Sequence, residues 1–139
     1  MTAAVFPNGQ ETRFTEMVFP EQANHYGTLF GGTALALMGK AAFIAASRAA
    51  RHPVVMAASE RVDFHVPVRV GELVELAARV TRTGRTSMSV EVELFTETLN
   101  SGERRLAAQG RFAMVAVDAN GRPVPVAPRR AAAIAQSPV

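Results

Sequence analysis

The stretch Asn24-His25-Tyr26-Gly27-Thr28-Leu29-Phe30-Gly31-Gly32 sets an amide side chain and an imidazole just ahead of a glycine pair. An almost uncharged Ala/Leu/Met/Phe/Ile run follows, and Lys40 is its only charge between Gly31 and Ser47. Such a run predicts a helix that is apolar on nearly every side, with first-turn amides opening onto a polar loop. That arrangement suits a ligand carbonyl or a phosphate. Arg82, Arg85, Thr86 and Ser87 cluster around Gly84 and offer guanidinium and hydroxyl donors to phosphates, against the alternative of a charged, solvated turn. Glu60 lies two residues before Val62 and four before Phe64, so on a strand it shares their apolar face, where desolvation would raise its pKa and suit it to acid–base work. The opposite face would carry Arg61, Asp63 and His65. Asp63 and His65 lack a third ligand of convincing spacing, so they predict an exposed polar pair and no metal site.

These groups need elements to hold them. Three segments alternate with period two, as half-buried strands do. In 72–82, Val74, Leu76, Ala78 and Val80 share one face; in 87–97, Met88, Val90, Val92 and Leu94 do; in 104–117, Leu106, Ala108, Phe112 and Met114 do. Gly84 and Asn100-Ser101-Gly102 mark antiparallel hairpins between them. Two further strands are predicted at 13–19 and 54–66, the latter bracketed by Pro53 and Pro67. The order is strand, loop, helix and four strands: an α+β arrangement of five antiparallel strands and one helix. One small sheet cannot cover a helix that is apolar all round, so self-association is expected, through sheet edges or packed helices.

The 139 residues make one domain with room for a core. Without cysteine there can be no disulfide, thiolate metal site or Cys nucleophile. Residues 1–10 lack the features of a signal peptide, and the apolar run at 34–46 is too short to span a bilayer; a cytoplasmic protein is expected. Arginine supplies nearly all of the basic residues behind a net charge of +3, which fits a phosphate-bearing small ligand. With no Trp and one Tyr, a stacking platform for nucleic acid is poor. The expected division is a flexible segment 1–12, a folded unit 13–119, and a Pro/Ala/Arg-rich disordered tail 120–139 with a turn at Asn120-Gly121.

Asn24 to Gly32, with Ala41-Ala42-Phe43-Ile44-Ala45-Ala46, Glu60-Arg61-Val62-Asp63-Phe64-His65-Val66-Pro67, Val70-Gly71-Glu72 and Gly84-Arg85-Thr86-Ser87, resembles the hotdog-fold acyl-CoA thioesterases. The resemblance covers roughly residues 13–118. It implies a five-stranded antiparallel sheet wrapped around one long central helix, and hydrolysis of acyl-CoA to a free acid and CoA without a cofactor. It also implies a homodimer, often assembled further into a trimer of dimers, with no nucleic-acid partner and no membrane insertion. In this context the amides at Gly31 and Gly32 would hold the thioester oxyanion, and Asn24 would orient the attacking water or the thioester. His25, Gly31, Arg82, Arg85, Thr86 and Ser87 become candidate substrate contacts, with Leu35 and Met38 candidates for an acyl slot.

One position departs from the pattern. The family commonly carries an acid on the helix directly after a methionine, and this chain reads Met38-Gly39-Lys40. Three readings stay open: hydrolysis was lost, another carboxylate took over, with Glu60 first in line, or the chain is an inactivated variant. The rival function is a hotdog protein that binds acyl-CoA without cleaving it, as a sensor or sequestering module.

Overall fold

The structure, a computed structural model, describes residues 11–126. Strand β1 (Thr12–Met17) leads through a single 3-10 turn at Pro20–Gln22 into helix α1 (Gly31–Ala50). Four strands follow: β2 (Val54–Phe64), β3 (Leu73–Thr83), β4 (Ser87–Glu97) and β5 (Arg104–Ala116). They form one antiparallel sheet in the order β1-β3-β4-β5-β2, so β1 and β2 are its edges. This is the expected α+β architecture. No helix among the described residues is long and apolar enough to cross a membrane.

The helix lies across one face of the sheet. Ala34, Leu37, Met38, Ala41, Ala42, Ala45 and Ala46 are buried against it, and the alanines let the helix axis come close. From the sheet, Val74, Leu76, Ala78, Met88, Val90, Val92, Leu94, Phe112 and Met114 complete the core. Gly110 on β5 leaves room for its neighbours: an added Cβ would stand 3.0 Å from Val62 Cγ2 and 3.3 Å from Met38 Cε. The far side of the helix keeps Leu35 and Phe43 exposed, and the β2 edge exposes Val55, Met56 and Phe64. A single chain thus leaves uncovered the apolar surface that the sequence said one sheet could not bury.

Bulges adjust the period-two reading. In β5 the register steps from Leu94 opposite Ala108 to Phe95 opposite Leu106, leaving Ala107 as the extra residue. Leu106 therefore joins Phe95 on the face away from the helix, not the core face predicted for it. On β2, Ala57 and Glu60 are each skipped in the pairing with β5. Two insertions cancel, so Val62 still packs on the core.

The ends also differ from expectation. Thr12 is buried and opens β1. The turn at Asn120-Gly121 forms, with the Gly121 amide donating to the Asp118 carbonyl at 3.0 Å. Beyond it the chain is not loose: Val124 N–H donates to Ala116 O at 2.9 Å and Val126 N–H to Arg85 O at 2.7 Å. Both valines pack against the core. The rest of the tail predicted disordered, and most of the amino-terminal segment predicted flexible, lie outside the described residues.

Candidate active site

Asn24 organises the loop before the helix. Its Oδ1 accepts the Tyr26 amide at 3.0 Å, the Thr28 amide at 3.2 Å and the Thr28 hydroxyl at 3.1 Å. The backbone closes the same turn: Asn24 N–H donates to Thr28 O at 2.9 Å and Gly27 N–H to Asn24 O at 3.0 Å. Gly27 has φ +78°, in the region that favours glycine. With its oxygen committed to the loop, Asn24 keeps its Nδ2 amide without a hydrogen-bond partner among the described residues, so it can donate outward. His25 is exposed and stacks on Tyr26 with ring centroids 3.9 Å apart.

Helix α1 begins after Phe30, which provides no side-chain cap. The first-turn amides are left for solvent or a ligand, and the helix dipole favours negative charge there. Beside this end lies a cavity of about 330 Å³, lined on the helix side by Gly31 and Ala34 and otherwise by Thr28, Phe64, His65 and Val66 among others. A Cβ added at Gly31 would meet nothing within 4 Å, because this glycine faces open space. A Cβ at Gly32 would meet the Phe30 ring at 2.9 Å, and that exposed ring would have to shift to admit it.

Leu35 and Met38 do not line this cavity. Met38 is fully buried in the core and Leu35 faces outward; the helix wall is made by Gly31 and Ala34 instead. His65 is the reverse case. β2 ends at Phe64, the chain turns with His65 N–H donating to Ala107 O at 2.8 Å, and His65 joins the cavity wall. It does not pair with Asp63, whose carboxylate takes the Arg61 Nε at 3.0 Å. The strand end, which alternation alone does not reveal, is what separates the two.

The loop forming the cavity's outer wall is tied down by Glu72, which sequence reasoning gave no role. Its Oε1 accepts the Arg69 amide at 2.8 Å and the Thr96 hydroxyl at 3.2 Å; its Oε2 accepts the Thr98 hydroxyl at 2.9 Å and Arg105 Nη2 at 2.7 Å. Burial pushes this carboxyl's pKa up. The hydrogen bonds from the Arg69 amide, Thr98 and Arg105, with the Arg105 charge, outweigh it and hold the pKa below the usual carboxylate value. A buried acid with four donors is a brace for the loop.

The remaining candidates lie in the other half of the sheet. Gly39 is eight residues along the helix from Gly31, about 12 Å at 1.5 Å per residue. It faces Met56 on β2, whose Cε would be 3.1 Å from a Cβ at Gly39. Glu60, at its bulge, is exposed in the single chain; the desolvation predicted for it is not supplied by this chain alone. The hairpin carrying Arg82, Arg85, Thr86 and Ser87 is farther still. From Leu94 at the cavity to Ser87, β4 spans about 23 Å at some 3.3 Å per residue. Arg82 and Arg85 are exposed and have no ion pair among the described residues. By contrast, Arg13 and Arg104 both meet Glu75, and Arg79 and Arg111 both meet Glu91. One chain therefore presents two candidate half-sites: Asn24, Gly31 and the cavity at one end, Gly39, Met56 and the arginine hairpin toward the other, with Glu60 between them on β2.

Comparison with known proteins agrees with this architecture. A family model described as thioesterase superfamily matches residues 26–103. An uncharacterized acyl-CoA thioester hydrolase of Bacillus subtilis, YkhA, is 41% identical over 124 residues, covering 84% of this chain and 72% of its own. An apo-hexameric acyl-CoA thioesterase superposes with a TM-score of 0.82 at 43% identity, covering 84% and 75% of the two chains. The acyl-CoA hydrolase of Staphylococcus aureus, solved with butyryl coenzyme A, coenzyme A and coenzyme A disulfide, superposes with a TM-score of 0.80 at 33% identity, covering 84% and 71%. That enzyme has also been solved with an asparagine, an aspartate or a threonine replaced by alanine, the aspartate 15 positions after the asparagine and the threonine 17 after the aspartate. With its five-stranded sheet, single helix and uncapped glycine-led amino end, this chain belongs to the thioesterase superfamily, among the hotdog-fold acyl-CoA thioester hydrolases.

Proposed function

We propose that the protein hydrolyses acyl-CoA to a carboxylic acid and free CoA, in a site completed by two copies of the chain. The observation that carries this reading is the uncapped helix end at Gly31, opening onto an apolar-walled cavity whose wall includes Thr28, the residue that Asn24 Oδ1 holds. A thioester carbonyl seated at that end would direct its oxygen to the Gly31 and Gly32 amides, which are already oriented when charge develops on it. The Asn24 Nδ2 donates to the attacking water or to the thioester. A carboxylate, for which Glu60 is the candidate, takes a proton from that water. The resulting hydroxide adds to the carbonyl carbon, and the tetrahedral intermediate collapses with expulsion of the CoA thiolate.

The two half-sites are the reason for two copies. A carboxylate at position 39 and an arginine at 82 or 85 cannot reach the Gly31 end of their own chain, and Glu60 on β2 faces solvent. A two-fold partner laid along the exposed β2 edge and the Leu35–Phe43 face of the helix would bring its opposite half beside that end. It would also cover Val55, Met56 and Phe64, and remove water from around Glu60. Arg82 and Arg85, without acidic partners among the described residues, would then hold the phosphates of CoA, with Thr86 and Ser87 adding hydroxyl donors. Dimers of this kind, assembled three to a hexamer, are the proposed functional form. The proposed compartment is the cytoplasm, in keeping with a coenzyme A ester as substrate.

Release of CoA thiol from a short-to-long acyl-CoA panel tests the proposal. Turnover on at least one member is expected. Tight acyl-CoA binding with no turnover on any of them would shift the assignment to a non-hydrolytic binder.

A further inference from the structure

Gly39 is half-buried on the helix, and the group nearest to its missing side chain is the Met56 methyl, 3.1 Å from an ideal Cβ. Met56 sits on β2 opposite Met114, which in turn lies opposite Met88 on β4, so a band of thioethers runs beneath this part of the helix. The positions themselves carry a pattern. Asn24, Gly39 and Met56 repeat the 15- and 17-residue spacing of the asparagine, aspartate and threonine replaced in the Staphylococcus aureus hydrolase. At the first position the chains agree. At the other two, at equal spacing, this chain has hydrogen where that hydrolase has a carboxylate and a thioether where it has a hydroxyl.

We infer that Gly39 and Met56 form one linked replacement, with the Met56 methyl occupying room that an acid side chain on the helix would need. A hydroxyl donates a hydrogen bond to a carboxylate; a thioether cannot. Its flexible, apolar methyl fills an irregular gap instead. Restoring an aspartate at position 39 by itself demands two things of Met56. The methyl must give way by a few tenths of an ångström for the Cβ, and it must then border a carboxylate to which it can offer no donor. A carboxylate bordered by apolar groups without a donor is disfavoured in its charged form, so it would turn away from the reacting carbonyl. Met56 is thereby the residue that decides whether position 39 can carry a working base. The inference rests on the hydrolase reading above and explains why that reading assigns the proton to Glu60.

The test is a double-variant cycle on the full chain, with CoA-thiol release as readout. Gly39→Asp and Met56→Thr are made singly and together. The two together should exceed either single variant by at least tenfold, keep that gain when Glu60→Gln is added, and lose it when Gly39→Asn replaces Gly39→Asp. Gly39→Asp reaching the double variant's rate with Met56 in place, or a double variant no faster than the singles, would overturn the inference. A parent chain without turnover would count against the hydrolase reading and its Glu60 base, and not against the link between Gly39 and Met56, because the cycle compares variants with one another. Melting temperatures supply a measurement independent of chemistry: Gly39→Ala should raise the midpoint more in the Met56→Thr background than in the parent. Equal shifts in both backgrounds would overturn the steric link.

Discussion

The Asn24 Oδ1 accepts the Thr28 hydroxyl at 3.1 Å while two backbone amides converge on the same oxygen. The two ends of this side chain therefore have different work. The oxygen shapes the loop, and the nitrogen has no hydrogen-bond partner among the described residues.

Asn24→Asp separates the two. It keeps an acceptor for Tyr26 and Thr28 and removes the amide donor. The melting temperature should stay within about 2 °C, since the loop bonds survive, while kcat falls at least about tenfold. Asn24→Ala should also lose about 1–3 kcal/mol of stability, because it removes the acceptor for three donors. A fully active Asn24→Asp would assign the residue to loop structure alone. Thermal melts and steady-state kinetics on both variants check this.

Gly31 is expected to answer differently from Gly32. A side chain at Gly31 enters open space next to the cavity, so Gly31→Val should leave the fold intact and raise KM or lower kcat by blocking approach to the helix amides. A side chain at Gly32 displaces the exposed Phe30 ring at the helix start, so Gly32→Val should lower the melting temperature where Gly31→Val does not. Circular dichroism melts beside kinetics distinguish the two outcomes.

Arg82 and Arg85 should matter only to substrates that carry the phosphates of CoA. Arg85→Gln and Arg82→Gln should each raise KM for acyl-CoA several-fold, and more at low ionic strength than at high. Neither should change the rate on an acyl thioester of a short uncharged thiol. An equal effect on both substrates would contradict a phosphate contact.

Glu72 gives a pH dependence with a definite sign. Its folded-state pKa lies below the unfolded value of 4.5. Its contribution to stability is therefore complete above that value and is lost as pH falls through the folded pKa. Glu72→Gln should cost about 1–3 kcal/mol near neutral pH, from the weakened bonds to Arg105, Thr98 and the Arg69 amide. The gap between variant and parent should narrow in acid, below about pH 4.5. Denaturant unfolding at neutral and acid pH measures it; a gap that widens in acid would contradict the brace.

Much of this fold was legible because its signals are local. Val74 to Val80 and Met88 to Leu94 alternate without interruption, and their strands appear as read. Leu106 was misassigned because the bulge at Ala107 depends on how β5 meets β4, which periodicity in one strand does not record. The loop and glycine pair were legible through residue types with few other uses. His65 and Glu72 were not. His65 reaches the cavity because β2 stops at Phe64, and Glu72 acquires its four donors from segments up to 33 residues away. The two-ended layout of the site was equally hidden, since the distance from the Arg85 hairpin to the Gly31 end follows from sheet register and helix direction.

The account stands most directly on one comparison: CoA-thiol release by the parent chain and by Glu60→Gln at saturating acyl-CoA. Hydrolysis by the parent, with kcat reduced by at least about a hundredfold in Glu60→Gln and both proteins melting alike, is the predicted result for loss of a general base. A Glu60→Gln variant that retains the parent rate would contradict it, and the proton would have to leave by another group.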